Sequence, residues 1–178
     1  MPGSIIQFPS SLAVIALGSN LGDSRQIVLD AMGRLQSFSD RPILKSSLWQ
    51  SPPVDCPPGS PKFVNAVAGL VPRPGETPES LLKKLQALEQ EFGRSRGHII
   101  NEPRTLDLDL IAFGAEARIS PDLILPHPRA LVRRFVLQPL SEIAPDLVLP
   151  GQGRTVSQLL SGLPEDEMVT RLDDQQSA

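Results

Sequence analysis

The sequence predicts an α+β fold: a ferredoxin-like βαββαβ core, an antiparallel sheet with helices on one face, followed by a C-terminal α/β extension. Three observations predict it. Apolar stretches of strand length recur at 12–17, 43–51, 63–71 and 106–113. Two segments with apolar residues at helical spacing, 24–37 and 78–92, follow the first and third of those strands. The resulting order, strand, helix, strand, strand, helix, strand, is the split βαβ arrangement.

The totals bound the function. A chain of 178 residues suffices for one domain with a sizeable core. A net charge of −3 and a pI near 5.4 leave no electrostatic footprint for nucleic acid or an anionic membrane. No apolar run approaches the roughly 18–20 residues of a membrane span, and Met1-Pro2-Gly3-Ser4 does not open a signal peptide. The single cysteine, Cys56, excludes an internal disulfide and a multi-cysteine metal site, so a cytoplasmic protein is expected. With no tyrosine and one tryptophan, each phenylalanine carries more information than usual.

Residues 1–11, with Pro2, Gly3, Pro9 and Ser10, read as a flexible leader. Leu12 to Leu17 is continuously apolar, as a central strand buried on both faces would be. It breaks at Gly18-Ser19-Asn20-Leu21-Gly22-Asp23, where Asp23 or Ser24 can cap the helix that Val28, Ala31, Met32 and Leu35 define. That turn lacks the Gly-Lys-Ser/Thr ending of a phosphate-binding P-loop, so its role reads as structural. Ile43 to Ser51 reads as one strand; the proline-rich 51–61 cannot be regular structure. In the strand 63–71, Phe63, Asn65 and Val67 share one face, opposite Val64, Ala66 and Ala68. A ring and an amide on one face suit a flat heterocycle, the ring for stacking and the amide as donor and acceptor; a core Phe beside an edge Asn is the plainer alternative. Thr77 and Pro78 open the second helix, whose stripe is Leu81, Leu85, Leu88 and Phe92 and whose end is Gly93. Glu89 and Glu91 lie where the helix dipole disfavours anions, a place for a cation or an arginine.

The loop 93–103 carries Arg94, Arg96 and His98 and leads straight into Pro103-Arg104-Thr105-Leu106-Asp107-Leu108-Asp109-Leu110. Alternation there puts Asp107 and Asp109 on one strand face, roughly 6.5–7 Å apart at the backbone. Two such carboxylates can converge on one or two hard cations, and arginines beside them suit metal-bound polyphosphate; a solvated strand face is the alternative. Beyond Phe113, Leu123-Ile124-Leu125 is expected to pair at the sheet edge. Pro126-His127-Pro128-Arg129 leads into a short helix through Phe135 that contains Arg133 and Arg134. Residues 136–149 are expected as irregular or helical cover, 155–160 as a last short helix, and 165–178 as a polar tail that frays.

Ala16-Leu17-Gly18-Ser19-Asn20-Leu21-Gly22, Phe63-Val64-Asn65-Ala66, the Pro103–Asp109 element and Pro126-His127-Pro128-Arg129 through Phe135 together resemble the 6-hydroxymethyl-7,8-dihydropterin pyrophosphokinases of folate biosynthesis. The resemblance covers roughly residues 12–160 and implies a single pyrophosphokinase domain over 12–164. It implies transfer of the β,γ-pyrophosphoryl unit of ATP to the pterin hydroxymethyl oxygen, with release of AMP. Asp107 and Asp109 would hold two Mg²⁺ ions. Arg94, Arg96 and Arg104 would act catalytically on the phosphates; together with Glu89, Leu110, His127 and Arg133 they would form the nucleotide site. Phe63 and Phe135 would sandwich the pterin, Asn65 would bond its edge, and Ser51, Pro52 and Val54 would frame the pocket. The expected partners are these small molecules alone, with no nucleic acid and no membrane, on a monomer. Two rival classes remain: another Mg-dependent phosphotransferase or phosphohydrolase on the same Asp pair, and a non-catalytic ferredoxin-like binding module.

Overall fold

The computed structural model describes residues 12–53, 57–93, 105–165 and 168–172. Strand β1 (Ala13–Ser19) lies between β4 (Phe63–Leu70) and β5 (Asp107–Phe113), antiparallel to both. Between them in sequence come helix α1 (Ser24–Leu35), β2 (Leu44–Lys45) and β3 (Trp49–Ser51), with helix α2 (Pro78–Glu91) after β4. The order β5-β1-β4-β3, with β2 also on β4, is that of the split βαβ core.

The predicted strand 43–51 forms as two pieces. Ser46 interrupts it: its Oγ accepts the Val67 N–H at 2.8 Å, while its own N–H donates to the Val67 carbonyl at 3.0 Å. Glu142 fixes the break from 95 residues away, accepting from Ser47 N–H at 3.1 Å, Ser47 Oγ at 2.7 Å and, 93 residues away, Trp49 Nε1 at 2.7 Å.

Each sheet face has its own core. On one, Ile15, Leu17, Val64 and Ala66 meet α1 through Val28, Ala31 and Leu35, and α2 through Leu81, Leu85 and Leu88. Complete burial of each such leucine stabilises the fold by about 1.5–3 kcal/mol. Thr77 caps α2 through a reciprocal pair with Ser80, and Gly93, at φ 85°, ends it in a conformation costly for any other residue. Asp23 caps α1, accepting from Gln26 N–H at 3.3 Å. The turn before it is packed into the fold: Ser19 and Asn20 are buried, and Asn20 Nδ2 donates to the Pro61 carbonyl at 3.2 Å.

The opposite face was expected to lack helices within the core, and the C-terminal extension covers it. After hairpin strands β6 (Arg118–Ile119) and β7 (Ile124–Leu125) come helix α3 (Arg134–Ile143) and helix α4 (Val156–Ser161). Leu137 and Leu140 of α3 and Val156 of α4 pack on Val14, Val67 and Ile111. Three expectations are corrected here. Residues 124–125 pair with 118–119 in a separate two-stranded sheet, because the turn at Ser120–Leu123 folds them back. The short helix through Phe135 is a 3₁₀ turn (Ala130–Val132), then extended Arg133, then a ten-residue helix. The tail expected to fray contributes β8 (Thr170–Arg171), which extends the main sheet on the free edge of β3.

Candidate active site

The second helical layer covers only part of its sheet face. Beyond its edge lies a cavity of about 1130 Å³ floored by the ends of β1, β4 and β5. Strand register composes that floor. Gly18 stands opposite Asp107 on one side and Asn65 on the other, and Ala16 stands opposite Asp109 and Val67. Facing residues of an antiparallel pair share a face, so both acids, the two small residues and the amide all point into the cavity. A methyl group added at Gly18 would lie 3.6 Å from Asn65 Oδ1 and 3.7 Å from the Phe63 ring. The floor between acid and amide is therefore low, with an aromatic wall beside it.

Asp107 and Asp109 are half-buried and Leu108 between them is buried. The main-chain N–H of Leu108 points outward at the sheet edge, and Glu89 Oε2 accepts it at 2.8 Å. Glu89 is buried at the end of α2 and does not border the cavity. The resemblance puts it in the nucleotide site; its bond to Leu108 also ties it to the strand that bears the acids.

Asn65 is buried, and its Nδ2 donates to Ser51 Oγ at 2.7 Å. Ser51 thus orients the amide so that Oδ1 lies over Gly18. Pro52, Phe63 and Phe135 also border the cavity. The Arg133 guanidinium lies 5.3 Å from the centroid of the Phe135 ring, a cation–π contact.

His127, Arg129 and Arg133 give the cavity a basic wall. His127 is anchored beside the acidic strand by its N–H, which donates to the Ile111 carbonyl at 2.8 Å, and the preceding Leu125–Pro126 peptide is cis. Its Nδ1 accepts the Arg129 N–H at 3.3 Å, which leaves the other ring nitrogen as the donor. Burial, then the charges of Arg133 and Arg129, hold the imidazole below its usual pKa, against a smaller opposite pull from Asp107. A neutral His127 with its proton on Nε2 results.

Of the residues singled out in the sequence, the cavity brings together Asp107, Asp109, Leu110, His127, Arg133, Ser51, Pro52, Phe63, Asn65 and Phe135. Val54, Arg94, Arg96 and Arg104 lie outside the described residues. Sequence reasoning missed Asp122 in the hairpin turn, Arg129, and Met168 with Val169 just before β8, all of which border the cavity. Arg129 could have been found, since it closes the Pro-His-Pro-Arg motif; the other three have no local signal.

Among the described residues no three His, Cys, Asp or Glu side chains cluster as a metal site. The donor set is two carboxylates on one strand. That suits Mg²⁺, which binds through one or two carboxylates and takes its other ligands from phosphates and water.

The profile of a family described as 7,8-dihydro-6-hydroxymethylpterin-pyrophosphokinase (HPPK) matches residues 14–145. A Pseudomonas aeruginosa protein named 2-amino-4-hydroxy-6-hydroxymethyldihydropteridine pyrophosphokinase is 44% identical over 153 residues, 84% of this chain and 90% of its own length. A Synechocystis protein of the same name is 38% identical over 89% of this chain and 80% of its own. The folic acid synthesis protein fol1 of Pneumocystis carinii is 39% identical over 80% of this chain, which spans 19% of that longer protein. Among solved structures, a Plasmodium falciparum HPPK-DHPS triple mutant superposes with a TM-score of 0.66 at 14% identity, over 85% of this chain and 44% of that one. At that identity the likeness speaks for the fold alone.

Proposed function

The chain belongs to the 7,8-dihydro-6-hydroxymethylpterin-pyrophosphokinase family, and we propose that the cavity on its half-covered sheet face performs the transfer with the residues assigned below. The protein is an ATP-dependent diphosphotransferase of folate biosynthesis: it moves pyrophosphate from ATP to the hydroxymethyl group of 6-hydroxymethyl-7,8-dihydropterin. The observation that carries the residue assignment is one row across three strands, Asp107–Gly18–Asn65, with carboxylate and amide at either end of a low floor.

Asp107 and Asp109 would hold two Mg²⁺ ions, whose chemistry is to neutralise and align the ATP phosphates. Arg133 and His127 would take phosphate and nucleotide contacts on the basic wall, and Arg129 joins them by its place there. Arg94, Arg96 and Arg104 keep the phosphate-directed roles that the sequence motif implies. Phe63 and Phe135 would bracket the pterin plane; Asn65, held by Ser51, would bond its edge through Oδ1 and its second N–H. Pro52 and Val54 would frame that end.

The pterin hydroxyl oxygen attacks the β-phosphorus and loses its proton to solvent, and the bond from that phosphorus to the oxygen bridging it to the α-phosphorus breaks, so AMP departs with that oxygen. Such transfer depends on alignment and charge neutralisation more than on covalent help. The residues here supply both: stacking walls and an amide fix the acceptor, and cationic side chains meet the phosphates. The enzyme is read as cytoplasmic and monomeric; no helix among the described residues is long and apolar enough to cross a membrane.

Neither rival reading is favoured. Another phosphotransferase would not need the Phe63–Asn65–Phe135 slot, and a binding module would not need Mg²⁺ for nucleotide. Calorimetry with Mg²⁺, a non-hydrolysable ATP analogue and the pterin, alone and combined, tests the assignment. Mg²⁺-dependent nucleotide binding and pterin binding that Asn65→Ala weakens are expected. Nucleotide binding indifferent to Mg²⁺ and to Asp107→Ala would sink it.

A further inference from the structure

We infer that the C-terminal strand β8 belongs to the acceptor subsite, with Met168 and Val169 forming the outer wall against which the flat heterocycle packs. This rests on reading the Phe63–Asn65 end of the cavity as the pterin end. Strand β8 pairs with β3 antiparallel, Gln50 opposite Thr170 and Trp49 opposite Arg171. Continuing that register brings Val169 beside Ser51 and Met168 beside Pro52, and all four border the cavity. The strand is held independently of any ligand: Leu172 N–H donates to the Leu48 carbonyl at 2.9 Å, and the Leu172 side chain packs on the core.

Met168 is nonetheless 74% exposed. A large apolar side chain fixed at a cavity mouth by a paired strand gains burial only when something flat and apolar arrives. Its thioether is polarisable and adaptable, with a favourable affinity for aromatic faces and edges. Ser51 occupies the centre of this arrangement, bonded to Asn65 on one side and next to Val169 on the other. One sheet edge thereby orients the hydrogen-bonding group and delivers the apolar wall.

The test is pterin affinity in the presence of Mg²⁺ and a non-hydrolysable ATP analogue. Met168→Ala should weaken pterin binding about three- to tenfold, from the loss of thioether and methylene contact, with nucleotide affinity and thermal midpoint unchanged. Thr170→Pro removes the main-chain donor that, two residues before Leu172, faces Gln50. It should detach the wall and weaken pterin binding at least as much, again sparing nucleotide. Pterin affinity within twofold of wild type in both folded variants would overturn the inference while leaving the reading of the cavity intact. Wild-type protein that binds the nucleotide analogue but no pterin would overturn both.

Discussion

Substitutions of Asp107 and Asp109 separate metal holding from fold. Each faces a small residue of β1 rather than a packed neighbour, so truncation leaves no cavity in the core. Asp107→Ala or Asp109→Ala should lower turnover by at least a hundredfold, in line with loss of a principal electrostatic stabiliser. The thermal midpoint should barely change, since neither side chain belongs to the buried apolar core. Steady-state rates and melting curves on the same preparations check this; activity within threefold of wild type removes the assigned role. Side-chain direction at this site was legible in the sequence because strand period is strict: Leu106, Leu108 and Leu110 had to be inward, which sent both acids to the other face. The Phe63–Asn65 pairing was legible for the same reason. Glu89 was not. Its position at a helix end suggests a cation partner, and its acceptance of an outward-pointing N–H on the edge strand is a relationship only the assembled sheet reveals.

Glu89 acts on a whole strand, and its prediction belongs there. Glu89→Ala strands the buried Leu108 N–H and should cost about 1–3 kcal/mol in urea unfolding, with a fall in activity as the acid-bearing strand loosens. Glu89→Gln retains an acceptor and should recover most of both. Equal behaviour of the two variants would show that the bond to Leu108 does not set the strand. The other elements sort by how local their determinants are. Both core helices were legible with their caps, since Thr77-Pro78, Asp23 and Gly93 act within one turn. The break in strand 43–51 was not, because Glu142 imposes it from another layer. Strand β8 was invisible for a related reason: two residues have no periodicity, and Thr170–Arg171 is a strand only by pairing with Trp49 and Gln50. Helix α3 holds Pro139 in its interior, yet Leu137 and Leu140 bury enough apolar surface against the sheet to carry the helix past it.

At the scale of the molecule, the basic wall links the site to global stability. His127 titrates below its usual pKa in the folded chain, so between the two values the unfolded chain binds more protons. Stability therefore rises with pH through that window and is lost as pH falls below about 6.5, the ordinary histidine value. His127→Gln should flatten this part of the profile relative to wild type, measured by thermal melts from pH 5 to 8. A superimposable pair of profiles would refute the coupling. The chain contains only two histidines, which keeps the comparison clean.

The low floor at Gly18 has one more consequence. The acid on β5 and the amide on β4 are separated by two interstrand steps, about 9.5 Å, and that gap is fixed by main-chain hydrogen bonding. The sheet is thus a gauge between donor and acceptor, graduated in strand spacings, and side-chain drift anywhere else in the protein leaves its length untouched. Substitutions can retune what each end grips. Only a change of register, which would turn every side chain of a strand to the opposite face, could alter how far apart the two grips stand.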